Sequence, residues 1–169
     1  MMIAFIKDPT TAPDGSCMAG MGGVAFSVPG ADKAAVEMEP VTVAAKGIRG
    51  LAPAGWTEAG PGAYVRASSA LDETALIMDS APLTAAELFG RLAGRMGFDP
   101  GLKSVAREEA GHFIWDLYRF ELQGLSLDLA LAEGDGHAYM VLLVARPDER
   151  DTLYEQVFRP AVAALSPID

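Results

Sequence analysis

Few residues of this chain have the chemistry of a catalytic group. The sequence contains one cysteine, Cys17, and two histidines, His112 and His137. Nucleophilic catalysis needs an activated serine or cysteine beside a base, and the GxSxG motif that exposes such a serine in many hydrolases is absent from the sequence. Cys17 lies in a predicted loop, and reactivity would require surroundings that favour the thiolate, so we interpret it as an ordinary cysteine. The sequence therefore predicts no catalytic residue.

A catalytic triad is an alternative that would require the fold to bring distant residues together. Ser68 and Ser69, together with Asp116 or Asp128 and one of the two histidines, have the residue types that a triad needs. These residues are far apart in the sequence, so their proximity in space is the test. We keep an unrecognised hydrolase as the third functional hypothesis.

The segment Glu133-Gly134-Asp135-Gly136-His137 places three groups that can bind metals within five residues. An EF-hand loop needs oxygen ligands at alternate positions and a distal glutamate, and a zinc site needs pairs of cysteine or histidine. Neither spacing is present, whereas the two glycines are typical of a tight turn. We therefore interpret this segment as a hairpin turn, and we predict no metal site and no cofactor.

Composition narrows the classes of partner. The formal net charge of −10 and the isoelectric point near 4.6 oppose binding to nucleic acid or to an anionic membrane surface. No apolar run approaches the roughly 20 residues of a membrane-spanning helix. The short apolar run from Met2 to Ile6 lacks the basic residue that precedes the apolar part of a signal peptide. A single cysteine cannot form an internal disulfide, so a cytoplasmic location is expected.

Short strand patterns dominate a chain whose 169 residues have the size of one domain. Residues 7–23 are rich in glycine and proline and are predicted to form a loop. Alternation and turn residues predict strands at 24–28, 36–43, 47–51, 56–58, 63–67, 74–79, 105–122 with a turn near Gly111, 125–131 and 138–145. The short connections between the later strands favour antiparallel pairing.

Two segments have the apolar spacing of amphipathic helices. The first begins with Thr84-Ala85-Ala86-Glu87, which has the spacing of a capping box, and it ends at Met96 before Gly97. The second begins after Asp148, a good N-cap, and Pro160 must kink or end it. We expect the apolar stripes of both helices to pack on the sheet and to bury Leu88, Leu92, Tyr154 and Phe158.

The order of the elements also carries a family resemblance. A Gly55-Trp56 turn opens a strand meander, a capped helix follows, and a run of three strands leads to a closing amphipathic helix. From Gly47 to Pro167 this order resembles the PsbP-like α/β/α sandwich superfamily, including DcrB-like proteins and small accessory domains of some bacterial hydrolases. The resemblance implies an α+β fold in which two helices flank an antiparallel sheet, and roles in assembly, docking or chaperoning. It rests on core positions, so no functional residue is carried over.

Two of the predicted strands need cover on both of their faces. In 113–120 and 138–144 apolar residues occupy both odd and even positions, whereas 125–131 alternates leucine with small or polar residues and should have one buried and one more polar face. If both helices lie on one face of the sheet, the other face must find a partner. We expect this arrangement, with Trp115 and Leu117 in the contact and a homodimer as the simplest assembly.

The sequence favours a non-catalytic binding or accessory domain that docks a protein partner or assists assembly. Residues 47–169 would form this α+β domain, and residues 1–46 would form an N-terminal arm or short strands. A small-ligand carrier is the first alternative. A carrier needs an apolar pocket with a few convergent polar groups, whereas an enzyme needs titratable groups with perturbed pKa values.

Overall fold

Antiparallel hairpins build most of this fold, in agreement with the turn residues between the strand patterns. A computed structural model describes residues 35–169, and the strand predicted at 24–28 and Cys17 lie outside the described residues. Ten strands are formed within the described range: β1 Met38–Val43, β2 Ile48–Pro53, β3 Thr57–Gly60, β4 Ala63–Val65, β5 Ala75–Ala81, β6 Ala106–Ala110, β7 Phe113–Leu122, β8 Leu125–Gly134, β9 His137–Ala145 and β10 Ser166–Pro167.

Helical segments lie between β5 and β6 and after β9. Helix α1 spans Ala85–Met96. The C-terminal helix, residues 150–164, consists of α2 Arg150–Leu153, a π-helical turn Tyr154–Phe158 and α3 Arg159–Ala164. A short 3-10 turn, Ala44–Lys46, links β1 to β2.

The strands form two antiparallel sheets. The small sheet has the order β1-β2-β10, and the large sheet has the order β3-β4-β5-β9-β8-β7-β6. Every neighbouring pair is antiparallel. Strands β9 and β8 therefore lie near the middle of the large sheet, and β6 forms one of its edges.

Strand β1 joins regions on either side of the domain boundary predicted at residue 46. Strand β1 pairs with β2 along its whole length, from Met38 opposite Pro53 to Val43 opposite Ile48. The compact unit that contains both strands begins at Val36. The boundary predicted at residue 46 thus falls inside a sheet, and the α+β unit begins about ten residues earlier than expected.

Buried side chains lie on both faces of the large sheet. Because alternate residues of a strand point to opposite faces, β8 and β9 contribute to two separate apolar clusters. The closed face carries Ala130, Ala132, Tyr139, Val141 and Leu143, and it packs against the C-terminal helix and strands β1 and β2. The open face carries Leu127, Leu129, Leu131, Met140 and Leu142, and it packs against α1.

This arrangement corrects the prediction that both helices lie on one face. Trp115 is fully buried and Leu117 is 5% exposed, and both belong to the cluster of the closed face together with Phe158 of the C-terminal helix. The indole N–H of Trp115 donates to the carbonyl oxygen of Ala110 at 3.0 Å. The assignment of Trp115 and Leu117 as partner-binding residues is therefore wrong, because the chain's own C-terminal helix covers them.

Strand β8 also differs from its predicted pattern, because its more polar face is buried as well. Asp128 is 2% exposed. Its carboxylate accepts hydrogen bonds from Arg119 at 3.0 Å and from Arg150 at 2.9 Å, and both guanidinium groups lie over the ring of Tyr154 at 5.2 and 5.1 Å. A buried carboxylate is tolerated when it is paired, so Asp128 links β7, β8 and the C-terminal helix.

The capping box of α1 is confirmed. The hydroxyl oxygen of Thr84 accepts from the backbone N–H of Glu87 at 3.2 Å, and the Glu87 carboxylate accepts from the backbone N–H of Thr84 at 3.0 Å. The helix ends at Met96, and Gly97 closes it at φ 83°. Leu88 is buried as expected, whereas Leu92 is half-buried.

The C-terminal helix begins at Arg150, two residues after the predicted N-cap Asp148, and it is irregular. A π-helical turn ends at Phe158, two residues before Pro160. Proline has no N–H, and its ring crowds the carbonyl four residues back, so a wider turn accommodates it. Pro160 thus distorts the helix without ending it. Phe158 is buried as expected, and Tyr154 is half-buried.

Gly111 allows the turn between β6 and β7 to approach the C-terminal helix closely. It has φ +62°, and a β-carbon there would overlap the carbonyl oxygen of Ala163. We expect Gly111→Ala to lower the free energy of unfolding by about 2–4 kcal/mol, because it combines left-handed strain with overpacking. Urea denaturation would measure this loss.

Gly124→Ala is the matched control for this substitution. Gly124 has φ +82°, and a β-carbon there would meet no atom within 4 Å. This variant should lose only the left-handed strain, about 1 kcal/mol. Equal losses in the two variants would contradict the close packing of Gly111.

Candidate functional site

Helix α1 leaves part of the open face uncovered. It packs mainly on β8 and β9, where it buries Leu88, Phe89 and Ala93. Over the outer part of the sheet, Ile114 is 52% exposed and Tyr118 is half-buried. An apolar strip of β7 is therefore open to solvent beside the first turns of α1.

This uncovered strip forms the base of a groove with a volume of about 880 Å³. Ala86 and Gly90 of α1 line one side, and Leu102 from the loop after α1 also contributes. The tips of the β6–β7 and β8–β9 hairpins supply polar groups, among them His112, Glu133 and Asp135. Because Ala86 and Gly90 are small, the main chain of a ligand could approach α1 closely at these two residues. We call this feature the α1 groove.

Stacked aromatic rings hold the apolar part of the α1 groove in place. The rings of Phe89 and Tyr118 stack with their centroids 4.6 Å apart. Phe98 packs edge-on against Phe89 at 5.4 Å, and its ring is tilted against that of Phe120 at 4.5 Å. Burial raises the pKa of the Tyr118 hydroxyl above its usual value, and the nearby Asp116 adds to this effect. Tyr118 is therefore a neutral group at physiological pH that can both donate and accept hydrogen bonds.

The charged groups of the α1 groove are mainly carboxylates. Arg107 donates to both oxygens of Asp116 at 3.3 Å. One oxygen of Glu133 accepts from the backbone N–H of Ala85 at 2.6 Å, which caps the first turn of α1. The carboxylate of Asp135, in the β8–β9 turn, makes no hydrogen bond or ion pair with another described residue. The single guanidinium of the groove is thus neutralised, and two carboxylates remain near the hairpin tip.

The residues considered for a catalytic triad have other partners. The Nδ1 atom of His137 lies 3.3 Å from the carbonyl oxygen of Asp135 in its own hairpin. The Ser68 hydroxyl donates to Asp72 at 2.6 Å. His112 lines the α1 groove. Within residues 35–169 no hydrogen bond joins a histidine to any of the four other candidates, namely Ser68, Ser69, Asp116 and Asp128.

Neither a metal site nor a membrane-spanning helix is found within residues 35–169. No three side chains of histidine, cysteine, aspartate or glutamate there lie close enough together to hold a metal ion. No helix there is long and apolar enough to cross a membrane. The segment 133–137 forms the β8–β9 hairpin turn, with Asp135 at φ 51° and Gly136 at φ 78°.

No sequence pattern directly indicates the α1 groove, because the groove depends on where α1 lies on the sheet. The one local signal is a pair of small residues, Ala86 and Gly90, beside the apolar stripe of the helix. Neither residue type indicates a site by itself. The groove emerges only when their helix lies next to Ile114 and Tyr118.

A second polar cluster ties the loop after β4 to the start of the C-terminal helix. The guanidinium of Arg66 donates to Asp72 at 2.7 and 3.0 Å and to Glu149 at 2.8 and 3.0 Å. Asp72 also accepts from the backbone N–H and the hydroxyl of Ser68. Its side chain is 3% exposed. Arg66 lowers the pKa of both carboxylates, and the Ser68 hydrogen bonds lower that of Asp72 further.

This cluster should make stability depend on pH. Asp72 and Glu149 titrate at lower pH in the folded chain than their ordinary values of 3.8 and 4.5. The stability they contribute is therefore complete above those values and is lost as the pH falls through the lower, folded pKa values. We expect Arg66→Met to lower the free energy of unfolding by about 3 kcal/mol at neutral pH, because it leaves Asp72 buried without its partner. The variant should also lose stability less steeply between about pH 5 and pH 3.

Arg107→Met is the matched control, since it removes a guanidinium whose pair with Asp116 is largely exposed. It should cost less than about 1 kcal/mol and leave the acid slope unchanged. Urea denaturation across this pH range would measure both variants. Parallel acid slopes for Arg66→Met and the wild type would contradict the proposed role of Arg66.

Comparisons with known proteins concern the fold. No family model and no curated protein matches the sequence. The solution structure of cyanobacterial PsbP (CyanoP) from Synechocystis sp. PCC 6803 is similar, with a TM-score of 0.51 and 14% identity over 86% of this chain and 98% of that one. The crystal structure of LpqN, involved in cell envelope biogenesis of Mycobacterium tuberculosis, aligns with a TM-score of 0.45 and 15% identity over 86% of this chain and 100% of that one. The similarity to the cyanobacterial PsbP structure shows that the chain has a PsbP-like fold, as the resemblance of its sequence implied.

Proposed function

We propose that this chain is a non-catalytic accessory domain that docks a segment of a partner protein in the α1 groove. The proposal rests on one observation, namely that one face of the large sheet is covered more completely than the other. On the closed face, Trp115 and Leu143 are fully buried under the C-terminal helix and the small sheet. On the open face, Ile114 is 52% exposed beside a groove of about 880 Å³. An apolar strip with a polar rim is typical of a protein interaction surface.

The shape of the α1 groove favours a chain segment over a small molecule. Small-molecule pockets bury most of the ligand surface, usually within about 300–1,000 Å³. The groove has a comparable volume, but Ile114, Ala86 and Gly90 are exposed along it. A small ligand would remain largely in contact with water there. A peptide segment needs an open groove, because its chain must enter and leave.

The charged groups of the α1 groove support binding rather than catalysis. Arg107 and Asp116 neutralise each other, and one oxygen of Glu133 caps α1. A general acid or base needs a pKa near the working pH and a reacting group within reach. Burial moves the pKa of Tyr118 further from neutrality. No hydrogen bond within residues 35–169 joins His112, the histidine of the groove, to a serine or an aspartate. We therefore propose docking rather than a hydrolytic activity for this site.

Selection from a random-peptide phage library against the folded chain would test the proposal. Gly90 lines the α1 groove, and a β-carbon there would meet no atom within 4 Å, so Gly90→Trp should fill the groove without disturbing the core. We expect selected peptides to bind the wild type and to lose at least about ten-fold in affinity for Gly90→Trp, because the indole takes the place of a central contact.

Gly94→Trp is the matched control, because it places the same side chain on the same helix. Gly94 lies one turn further along α1 and lines a different, smaller cavity of about 490 Å³, and a β-carbon there is also unobstructed. This variant should bind the selected peptides as the wild type does. Peptides that bind both variants equally, or the absence of any selected peptide, would overturn the proposed docking site. Protection of the groove by a small apolar ligand would instead favour a carrier.

A further inference from the structure

The charges around the α1 groove indicate which kind of segment it accepts. Asp116, Glu133 and Asp135 line the groove, and Arg107 is its only arginine or lysine among the described residues. Since Arg107 is paired with Asp116, the net potential near the hairpin tip comes from Glu133 and Asp135. A carboxylate partly withdrawn from water by an incoming ligand costs free energy unless a cation replaces the lost hydration. A basic side chain would supply that compensation.

The two carboxylates near the hairpin tip are not equivalent. Glu133 uses one oxygen to cap α1 and leaves the other for a ligand. Asp135 is exposed at the turn, where φ is 51°, and its carboxylate has no partner among the described residues. An arginine or lysine entering here would meet two acceptors on adjacent parts of one hairpin.

The apolar base of the α1 groove sets the second requirement. Ile114 is 52% exposed, and the stacked rings of Phe89 and Tyr118 lie beside it. Burying such a surface requires a bulky apolar side chain, which contributes roughly 1.5–3 kcal/mol when fully covered. Because Ala86 and Gly90 are small, the ligand main chain can lie close enough for that side chain to reach the rings.

We infer that the α1 groove binds a basic, amphipathic segment of a partner protein, in which a bulky apolar residue lies next to an arginine or lysine. The inference rests on the proposed docking function and adds the chemistry of the partner. A second copy of this chain fits less well, because each copy carries a net charge of −10 and two such copies repel each other. The same acidic charge accelerates encounter with a basic partner.

The composition of the groove-dependent phage peptides tests this inference. Peptides that lose binding to Gly90→Trp should be enriched in arginine and lysine next to a bulky apolar residue, relative to the unselected library. Replacing the basic residue of the strongest peptide by glutamine should weaken binding about ten-fold at low salt and less at high salt, because salt screens the attraction. Fluorescence anisotropy of the labelled peptide would measure both affinities.

Substitutions on the chain give the reciprocal test. Asp135→Asn with Glu133→Gln removes both charges, while asparagine tolerates the left-handed turn and glutamine still offers an oxygen to the N–H of Ala85. This double variant should weaken binding of the basic peptide by about three- to ten-fold. Glu37→Gln with Glu39→Gln changes the net charge equally at or near β1, in the small sheet, and should change the affinity less than about two-fold.

The possible outcomes separate the inference from the proposed function. Groove-dependent peptides that are neutral or acidic, or a double variant at 133 and 135 that binds as the wild type does, would overturn the basic-segment inference and leave docking in place. Failure to obtain any peptide that responds to Gly90→Trp would overturn both. A concentration-dependent dimer that Gly90→Trp abolishes would identify a second copy as the occupant and would also overturn the inference.

Discussion

The fold depends on two central strands, β8 and β9, that are buried on both faces. In β9, Val141 and Leu143 point to the closed face while Met140 and Leu142 point to the open face, and all are at most 4% exposed. A sheet of this kind is stable only when another layer covers each face. The two helices consequently lie on opposite sides, and Trp115 becomes a core residue rather than a contact with a second chain.

The layers that cover the two faces of the large sheet differ in extent. This difference creates the candidate site. The closed face packs against the C-terminal helix and against β1 and β2, so its cluster includes residues from three parts of the chain. The open face depends on α1, a helix of 12 residues, which at 1.5 Å per residue extends about 18 Å. Strands in a sheet are about 4.8 Å apart, so a single helix covers only part of a seven-stranded face. The edge near β6 and β7 stays accessible, and Ile114 and Tyr118 line it.

Ion pairs of buried carboxylates link the C-terminal helix to the rest of the fold. Exposed carboxylates remain available to a ligand. Asp128 is paired with Arg119 and Arg150, and Asp72 is paired with Arg66. Removing Arg66 would strand the buried charge of Asp72, and removing both Arg119 and Arg150 would strand that of Asp128. Either loss is much costlier than losing an exposed pair. These arginines therefore have structural roles. By contrast, Asp135 lies exposed at the rim of the α1 groove, where its charge can act on a partner.

The sequence by itself determined the elements with strong local signals. The capping box at Thr84, the turn at Gly111 and the alternation in β7 and β9 depend on neighbouring residues, whose hydrogen bonds and side-chain directions are set within a few positions. Only the tertiary structure decided which face each helix covers. The apolar stripe of a helix requires burial but carries no information about the side on which its connecting loops place it. The burial of Trp115 and Leu117, the pairing of Asp128 with two distant arginines and the α1 groove all follow from that placement, because each joins residues from separate elements.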